Sequence, residues 1–111
     1  MAINKIGVKE VTPQIKKPWT PITLASVENY DVKLVEFEGD YFWHKHEKHD
    51  EFMYVCNGEI SIDVKDSAPV NLKTGECALI EKGTVHRSKS QGKSLVMVFG
   101  RNTALSDFVK V

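Results

Sequence analysis

Gly39-Asp40-Tyr41-Phe42-Trp43-His44-Lys45-His46-Glu47-Lys48-His49-Asp50-Glu51-Phe52-Met53-Tyr54-Val55-Cys56-Asn57-Gly58 is the stretch on which the reading of this chain turns. It holds three of the four histidines, together with Glu51, and the fourth, His86, lies downstream in Gly75-Glu-Cys-Ala-Leu-Ile-Glu-Lys-Gly83-Thr-Val-His86. Side chains on a strand alternate faces, so His44 and His46 share one face while Trp43 and Lys45 take the other. Two imidazoles so placed can converge on one metal ion. Glu51 heads the apolar run Phe52 to Cys56 and shares a face with Met53 and Val55, so its carboxylate can lie level with the imidazoles. Imidazole and carboxylate donors without thiolate suit Mn, Fe, Ni, Cu or Zn.

The spacing resembles the two motifs of the cupin superfamily. The first is a glycine, His-x-His, three or four residues, Glu, six residues and Gly; here it reads His44-x-His46, four residues, Glu51, six residues, Gly58. The second is a glycine, five residues, Pro-x-Gly, two residues and His, matched at Gly75, Gly83 and His86. The leading glycine stands one residue closer to the first histidine than usual, Glu81 replaces the proline, and Ser90 sits where an asparagine often does. None of these departures removes a ligand-type residue. The resemblance, closest to small single-domain cupins like the cupin part of mannose-6-phosphate isomerases, implies a double-stranded β-helix. It also implies metal ligation by His44, His46, Glu51 and His86.

Outward from the motifs the period is two. Ile22 to Val27, Tyr30 to Glu38, Phe42 to His46, Phe52 to Cys56, Glu59 to Val64, Val70 to Leu72, Cys77 to Ile80, Val85 to Ser88 and Ser94 to Phe99 read as strands. They are punctuated by Glu28-Asn29, Gly39-Asp40, Asn57-Gly58, Thr74-Gly75, Lys82-Gly83 and Gln91-Gly92. In the second strand Tyr30, Val32 and Leu34 alternate with Asp31 and Lys33. Asn-Gly between two alternating strands predicts a type I′ hairpin, which needs positive φ at both positions. Many short strands with regular turns imply an antiparallel sandwich or barrel, an all-β reading that agrees with the resemblance. The domain organisation expected is an N-terminal arm over 1–21 with possible edge-strand pieces, a barrel over 22–100 and a docked tail over 101–111. Pro13, Pro18 and Pro21 argue against a long helix in the arm, and Trp19 is expected to pack on a partner subunit or to cover the end of its own barrel.

Composition sets limits. Lysine plus arginine equals aspartate plus glutamate at fifteen each, which favours neither nucleic acid nor an anionic membrane and favours self-association, so a homodimer is expected. No apolar run approaches the roughly 20 residues of a membrane span. The N-terminus lacks the apolar core of a signal peptide, so a cytoplasmic location is expected. Cys56 and Cys77 sit in apolar strands, where reduced, mostly buried thiols are expected.

Taken singly, a histidine is usually an ordinary surface or core residue, and His49, in the polar Glu47 to Asp50 turn, is read that way. His44, His46, Glu51 and His86 are read together, because ionisable side chains are rarely buried without partners and a shared divalent ion supplies one. Three imidazoles and a carboxylate leave an open position, as a catalytic metal requires. Phe42 is expected at the mouth of the site, with Met53, Val55, Val98 or Phe99 deeper. Arg87 is expected on the surface, and Glu36 and Tyr54 are possible proton carriers. The function expected is a metal-dependent enzyme acting on a small polar organic molecule by isomerisation or epimerisation, dioxygenation or decarboxylation. The alternative is a non-catalytic module that binds a small ligand or senses metal.

Overall fold

A computed structural model describes residues 2–102 and 108–111. Nine strands follow in order: β1 (Ile22–Val27), β2 (Tyr30–Asp40), β3 (His44–His46), β4 (Glu51–Asn57), β5 (Glu59–Val64), β6 (Val70–Lys73), β7 (Cys77–Ile80), β8 (His86–Arg101) and β9 (Phe108–Lys110). The long β8 is the spine. One of its edges carries β2 and then β3, with Tyr30 opposite Arg101 and His44 opposite His86. The other edge carries β4 and then β5, from Glu51 opposite Gly100 to Val64 opposite His86. Beyond these lie β1 and β9 on one side and β7 and β6 on the other. Every pairing is antiparallel, and the sheet curls on itself as a double-stranded β-helix.

The sheet folds across a line of glycines. Registers shift between Phe37 and Gly39 on β2 and between Val55 and Asn57 on β4, and the same line meets Gly92 on β8 and Gly75 between β6 and β7. Residues from both sides of the fold meet in one apolar core: Val35, Phe37, Met53, Val55, Ile80 and Val96 from one half, Ile60, Ile62 and Leu72 from the other. Val55 and Val96 are fully buried. Truncating the equally enclosed Ile60 to alanine should cost about 2–5 kcal/mol through lost transfer energy and the cavity left behind.

The Asn57-Gly58 hairpin is corrected. β4 and β5 do not pair with each other; they run end to end along β8. Gly58 has φ +119°, while Asn57 is not among the residues with positive φ, so the I′ geometry is absent. An Asn-Gly pair that turns a hairpin elsewhere here kinks a continuous strand. A Cβ at Gly58 would run into the Ser94 hydroxyl and stand 3.0 Å from Ser94 Cα, so only glycine fits. Gln91-Gly92 likewise lies inside β8 without ending it, while Gly39-Asp40 forms the last two residues of β2.

The arm carries no strand among the described residues. Val8–Val11 form one α-helical turn and Thr12–Gln14 a 3-10 turn, with the proline at the start of the second, where its missing N–H costs nothing. Trp19 resolves toward its own barrel. Its backbone N–H donates to Glu36 O at 2.8 Å and its indole N–H to Glu38 O at 2.9 Å, continuing the β2 ladder past the end of β1. Its ring rests on Phe37 and Tyr41, with centroids 4.5 and 4.8 Å away. The tail docks through β9 on β3, while Ala104 and Leu105 lie outside the described residues. Both cysteines are free, but Cys77 is exposed and Cys56 half-buried, because their strand positions point out of the barrel. No helix among the described residues is long and apolar enough to cross a membrane.

Candidate functional site

The parity argument holds for β3: His44 and His46 are both buried, and Lys45 between them is less so. Two features fix this short strand. Gly83 N–H donates to His46 O at 2.7 Å, and Lys82 N–H donates to the Asp50 carboxylate at 2.9 Å, so the Lys82-Gly83 turn clamps the loop that follows β3. Directly across the ladder, His86 opens β8 at 1% exposure. The His44 and His86 rings stand 4.3 Å apart between centroids, and those of His44 and His46 5.5 Å apart. Glu51, from the opposite half of the fold, places one carboxylate oxygen 3.8 Å from His46 Nε2 and the other 3.9 Å from His86 Nε2. The structure therefore brings together all four residues singled out in the sequence.

The imidazoles are set up as donors of lone pairs. His44 Nδ1 lies 2.8 Å from Phe42 O and His86 Nδ1 lies 2.9 Å from Thr84 O, the carbonyl two residues back in each case. A carbonyl can only accept, so each Nδ1 carries the hydrogen and each Nε2 an available lone pair. Burial pushes the His44 pKa down to about 4, and the neighbouring His86 and His46 act in the same direction against the raising effect of Phe42 O. His44 is thus neutral at physiological pH. His86 Nε2 is buried and has no hydrogen-bond partner among the described residues.

These donors fit a divalent transition ion in kind and in orientation. Two donors at about 2.1 Å from one ion stand roughly 3.0–3.5 Å apart, a little closer than the separations seen. Among the described residues no group of three or more histidine, cysteine, aspartate or glutamate side chains is close enough to hold an ion as it stands. Ligation would draw the carboxylate and imidazoles together by about half an ångström.

His44, His46 and Glu51 form one wall of a cavity of about 220 Å³, with His86 directly behind. The rest of the wall is mostly apolar: Val35, Phe37, Met53, Val98, Trp19 and Phe108. Phe108, from β9, stacks on His44 at 4.8 Å and closes that side. Met53 and Val98 line the cavity as expected, but Val55 is sealed in the core and Phe99 stacks on Tyr30 at 5.2 Å outside it. Phe42 is corrected as well: it is 53% exposed, because β3 starts only at His44 and alternation does not extend back through residues 41–43. Tyr41 takes the place intended for it, its ring edge-on to His44 at 5.3 Å. Burial and the charge of Glu51 raise the Tyr41 pKa, so it presents an O–H to the cavity.

Sequence reasoning also missed Asp31 and Lys33, which line the cavity. The alternation along β2 holds, but the charged parity, continuing through Val35 and Phe37, is the one that faces inward. The signal was present in Val35 and Phe37, whose odd positions set the inner face. His49 is not part of the cavity wall, and neither are Glu36 and Tyr54. Arg87 points away from His86, as expected, and pairs with Asp63 at 3.0 Å over the Trp43 ring.

A curled antiparallel sheet with a histidine-carboxylate cluster at one open end is the arrangement of a cupin. A model of the cupin domain matches residues 33–99. The chain belongs to the cupin family. It is 38% identical over 80 residues to the protein YdbB of Bacillus subtilis, an alignment covering 72% of this chain and 71% of that one. Among solved structures, a cupin-2 domain protein of Shewanella frigidimarina superposes with a TM-score of 0.84 at 28% identity, covering 87% of this chain and 94% of the other. Protein NMB1881 of Neisseria meningitidis superposes with a TM-score of 0.81 at 25% identity, covering 89% and 100%.

Proposed function

We propose that this protein is a metal-dependent cupin enzyme that holds one divalent transition ion through His44, His46, Glu51 and His86 and acts on a small organic molecule in the adjoining cavity. The observation that carries the reading is the buried His86 Nε2, which has no hydrogen-bond partner among the described residues and faces the Glu51 carboxylate. A buried polar atom left in that state costs about 1–3 kcal/mol, and a bound ion removes the penalty. Such an ion supplies Lewis acidity, or a site for oxygen chemistry if it is iron. The chain's own residues do the rest. Trp19 and Phe108 exclude water from the mouth, and Tyr41 holds a proton next to the ligand cluster. Reaction type stays open among isomerisation, dioxygenation and decarboxylation. The fold hosts varied chemistry: a sugar phosphate isomerase of Silicibacter pomeroyi and a DMSP lyase of Ruegeria pomeroyi share it with this chain at 22% and 17% identity.

A second reading, a non-catalytic small-ligand module, is favoured by the absence of a ready-closed ion site among the described residues. Elemental analysis after reconstitution separates the two. About one equivalent of metal per chain supports the enzyme reading, and less than about a tenth removes it; oxygen uptake by the loaded protein then tests the oxygen chemistry.

Two further parts belong to the same proposal. The two free thiols, with Cys56 raised in pKa by burial, accord with a reducing cytoplasm. A homodimer would cover the outer face where Phe52 stands opposite Leu79, both exposed, beside exposed Tyr54. Light scattering at micromolar concentration should give twice the 12.5 kDa chain mass, and a monomer mass would contradict it.

A further inference from the structure

Beyond the ligand cluster, the cavity has a second polar end. The pairing register sets its floor in rows across three strands: Asp31, Gly100 and Glu51 form one row, Lys33, Val98 and Met53 the next. Neighbouring strands are about 4.8 Å apart and residues rise about 3.4 Å each, so Lys33, two strands across and one row along, stands roughly 12 Å from Glu51, on the far side of β8. Gly100 brings no side chain to the row between Asp31 and Glu51, and this keeps the floor open from one polar end to the other. Beside Lys33 the next row of the floor, Val98 and Met53, is apolar.

Lys33 is half-buried in this wall. No carboxylate lies within ion-pair distance of its ammonium among the described residues. Asp31, the nearest acid on the same face, is turned toward β1, where one of its carboxylate oxygens accepts from Ser26 Oγ at 2.7 Å. Arg101 lies at the rim of the same end, its guanidinium held over the Tyr30 ring at 5.4 Å. Lysines are seldom withdrawn from water without a partner. The charges lining the cavity cancel formally, Lys33 and Arg101 against Asp31 and Glu51. A divalent ion beside Glu51 would leave the enclosed space positive.

We propose that the cavity takes a small carboxylic acid with an apolar body, its carboxylate received by Lys33 with Arg101 at the rim, and its far end directed at His44, His46 and Glu51. This names the substrate class for the function proposed above and, in its ligated form, rests on it. The cavity of about 220 Å³ has room for a molecule of the size of benzoate. Lys33 and Arg101 are recognition residues in this scheme, and neither touches the ligand cluster.

The test is calorimetric titration of the metal-loaded protein with benzoate and hexanoate, each compared with its neutral amide, benzamide and hexanamide. Each acid should bind at least about tenfold more tightly than its amide, as charge-assisted hydrogen bonds exceed neutral ones. Lys33→Met, which keeps the apolar stem, should erase that preference, and Arg101→Gln should reduce it if the lysine variant does not fold. Equal binding of acid and amide, no binding of either acid at millimolar concentration, or an acid preference that survives in Lys33→Met overturns the proposal. The same titrations without metal keep the two claims apart. A Lys33-dependent acid preference in a chain that takes up no metal upholds the acid site and removes the metal enzyme, while metal uptake without acid preference does the reverse.

Discussion

Two polar clusters are buried in this small barrel, and they are resolved in opposite ways. At the fold line, Ser90 and Ser94 are enclosed with their hydroxyls 2.7 Å apart. Ser90 donates to Gly92 O, Ser94 donates to Glu59 O at 3.1 Å, and Ser94 Oγ accepts from Glu59 N–H at 3.2 Å. Thr74 completes the corner: its hydroxyl accepts from Gly58 N–H at 2.9 Å and donates to Gly58 O at 3.1 Å. Every group there finds its partner within the chain. At the open end, by contrast, His44 and His86 spend their Nδ1 hydrogens on backbone carbonyls, and the buried His86 Nε2, 3.9 Å from the Glu51 carboxylate, has no hydrogen-bond partner among the described residues. One cluster locks the fold; the other is the one proposed to hold an ion.

If the serine corner is a lock, breaking it should be as damaging as truncating a core side chain. Gly58→Ala would force a positive-φ residue and push a Cβ into Ser94. Strain and overpacking together should cost roughly 2–5 kcal/mol, read as a fall in melting temperature of the order of 10–20 °C or more. A loss below about 1 kcal/mol would show that the corner yields. Ser94→Ala should cost less, about 1–3 kcal/mol, because it strips Glu59 N–H and O of a buried partner without adding bulk; denaturant unfolding at unchanged slope would measure it.

A surface pair sets the lower end of the scale. Lys89 and Arg87 hold the Asp63 carboxyl below its ordinary pKa, chiefly through their side-chain hydrogen bonds. A carboxyl depressed in the folded state binds its proton more readily when unfolded, so its contribution is full above the ordinary carboxylate range. It is lost as pH falls through the folded value. Wild type minus Asp63→Asn should therefore show a stability difference at pH 6 that shrinks toward pH 3. Because the group is solvent-accessible, that difference should stay within about 1 kcal/mol. A difference that grew with acid would reverse the assignment.

The strand alternation and the motif spacing made the barrel and the four candidate ligands legible, because a period of two fixes the face on which His44 and His46 stand. What alternation could not convey is where the sheet folds. Asn57-Gly58 has the same local chemistry whether its flanking strands pair or run on along a third, and only the neighbours Ser94 and Thr74 decide. For the same reason Lys33 looked like an outward charge: Val32 and Leu34 on one parity and Val35 and Phe37 on the other make both faces of β2 apolar. Tyr41 and Phe42 exchanged roles because the extended run was counted back through residues that are not strand. The exposure of Cys77 follows from its neighbours, since β7 turns Ala78 and Ile80 inward and leaves Cys77 and Leu79 outside.

The contrast between the two clusters rests on the ion proposed for the open end, and one measurement reaches it directly. Metal-stripped protein would be melted alone and with Mn(II), Fe(II), Ni(II), Cu(II) or Zn(II) at about a hundred times the dissociation constant, in wild type and in single variants. Binding to the folded state alone adds roughly 2.7 kcal/mol, a rise of the order of 10–20 °C for a domain of this size. The rise should collapse in His44→Ala, His46→Ala, Glu51→Ala and His86→Ala and persist in His49→Ala. Identical melting with and without every metal, or a rise lost in His49→Ala and kept in His46→Ala, would contradict a shared ion at this site.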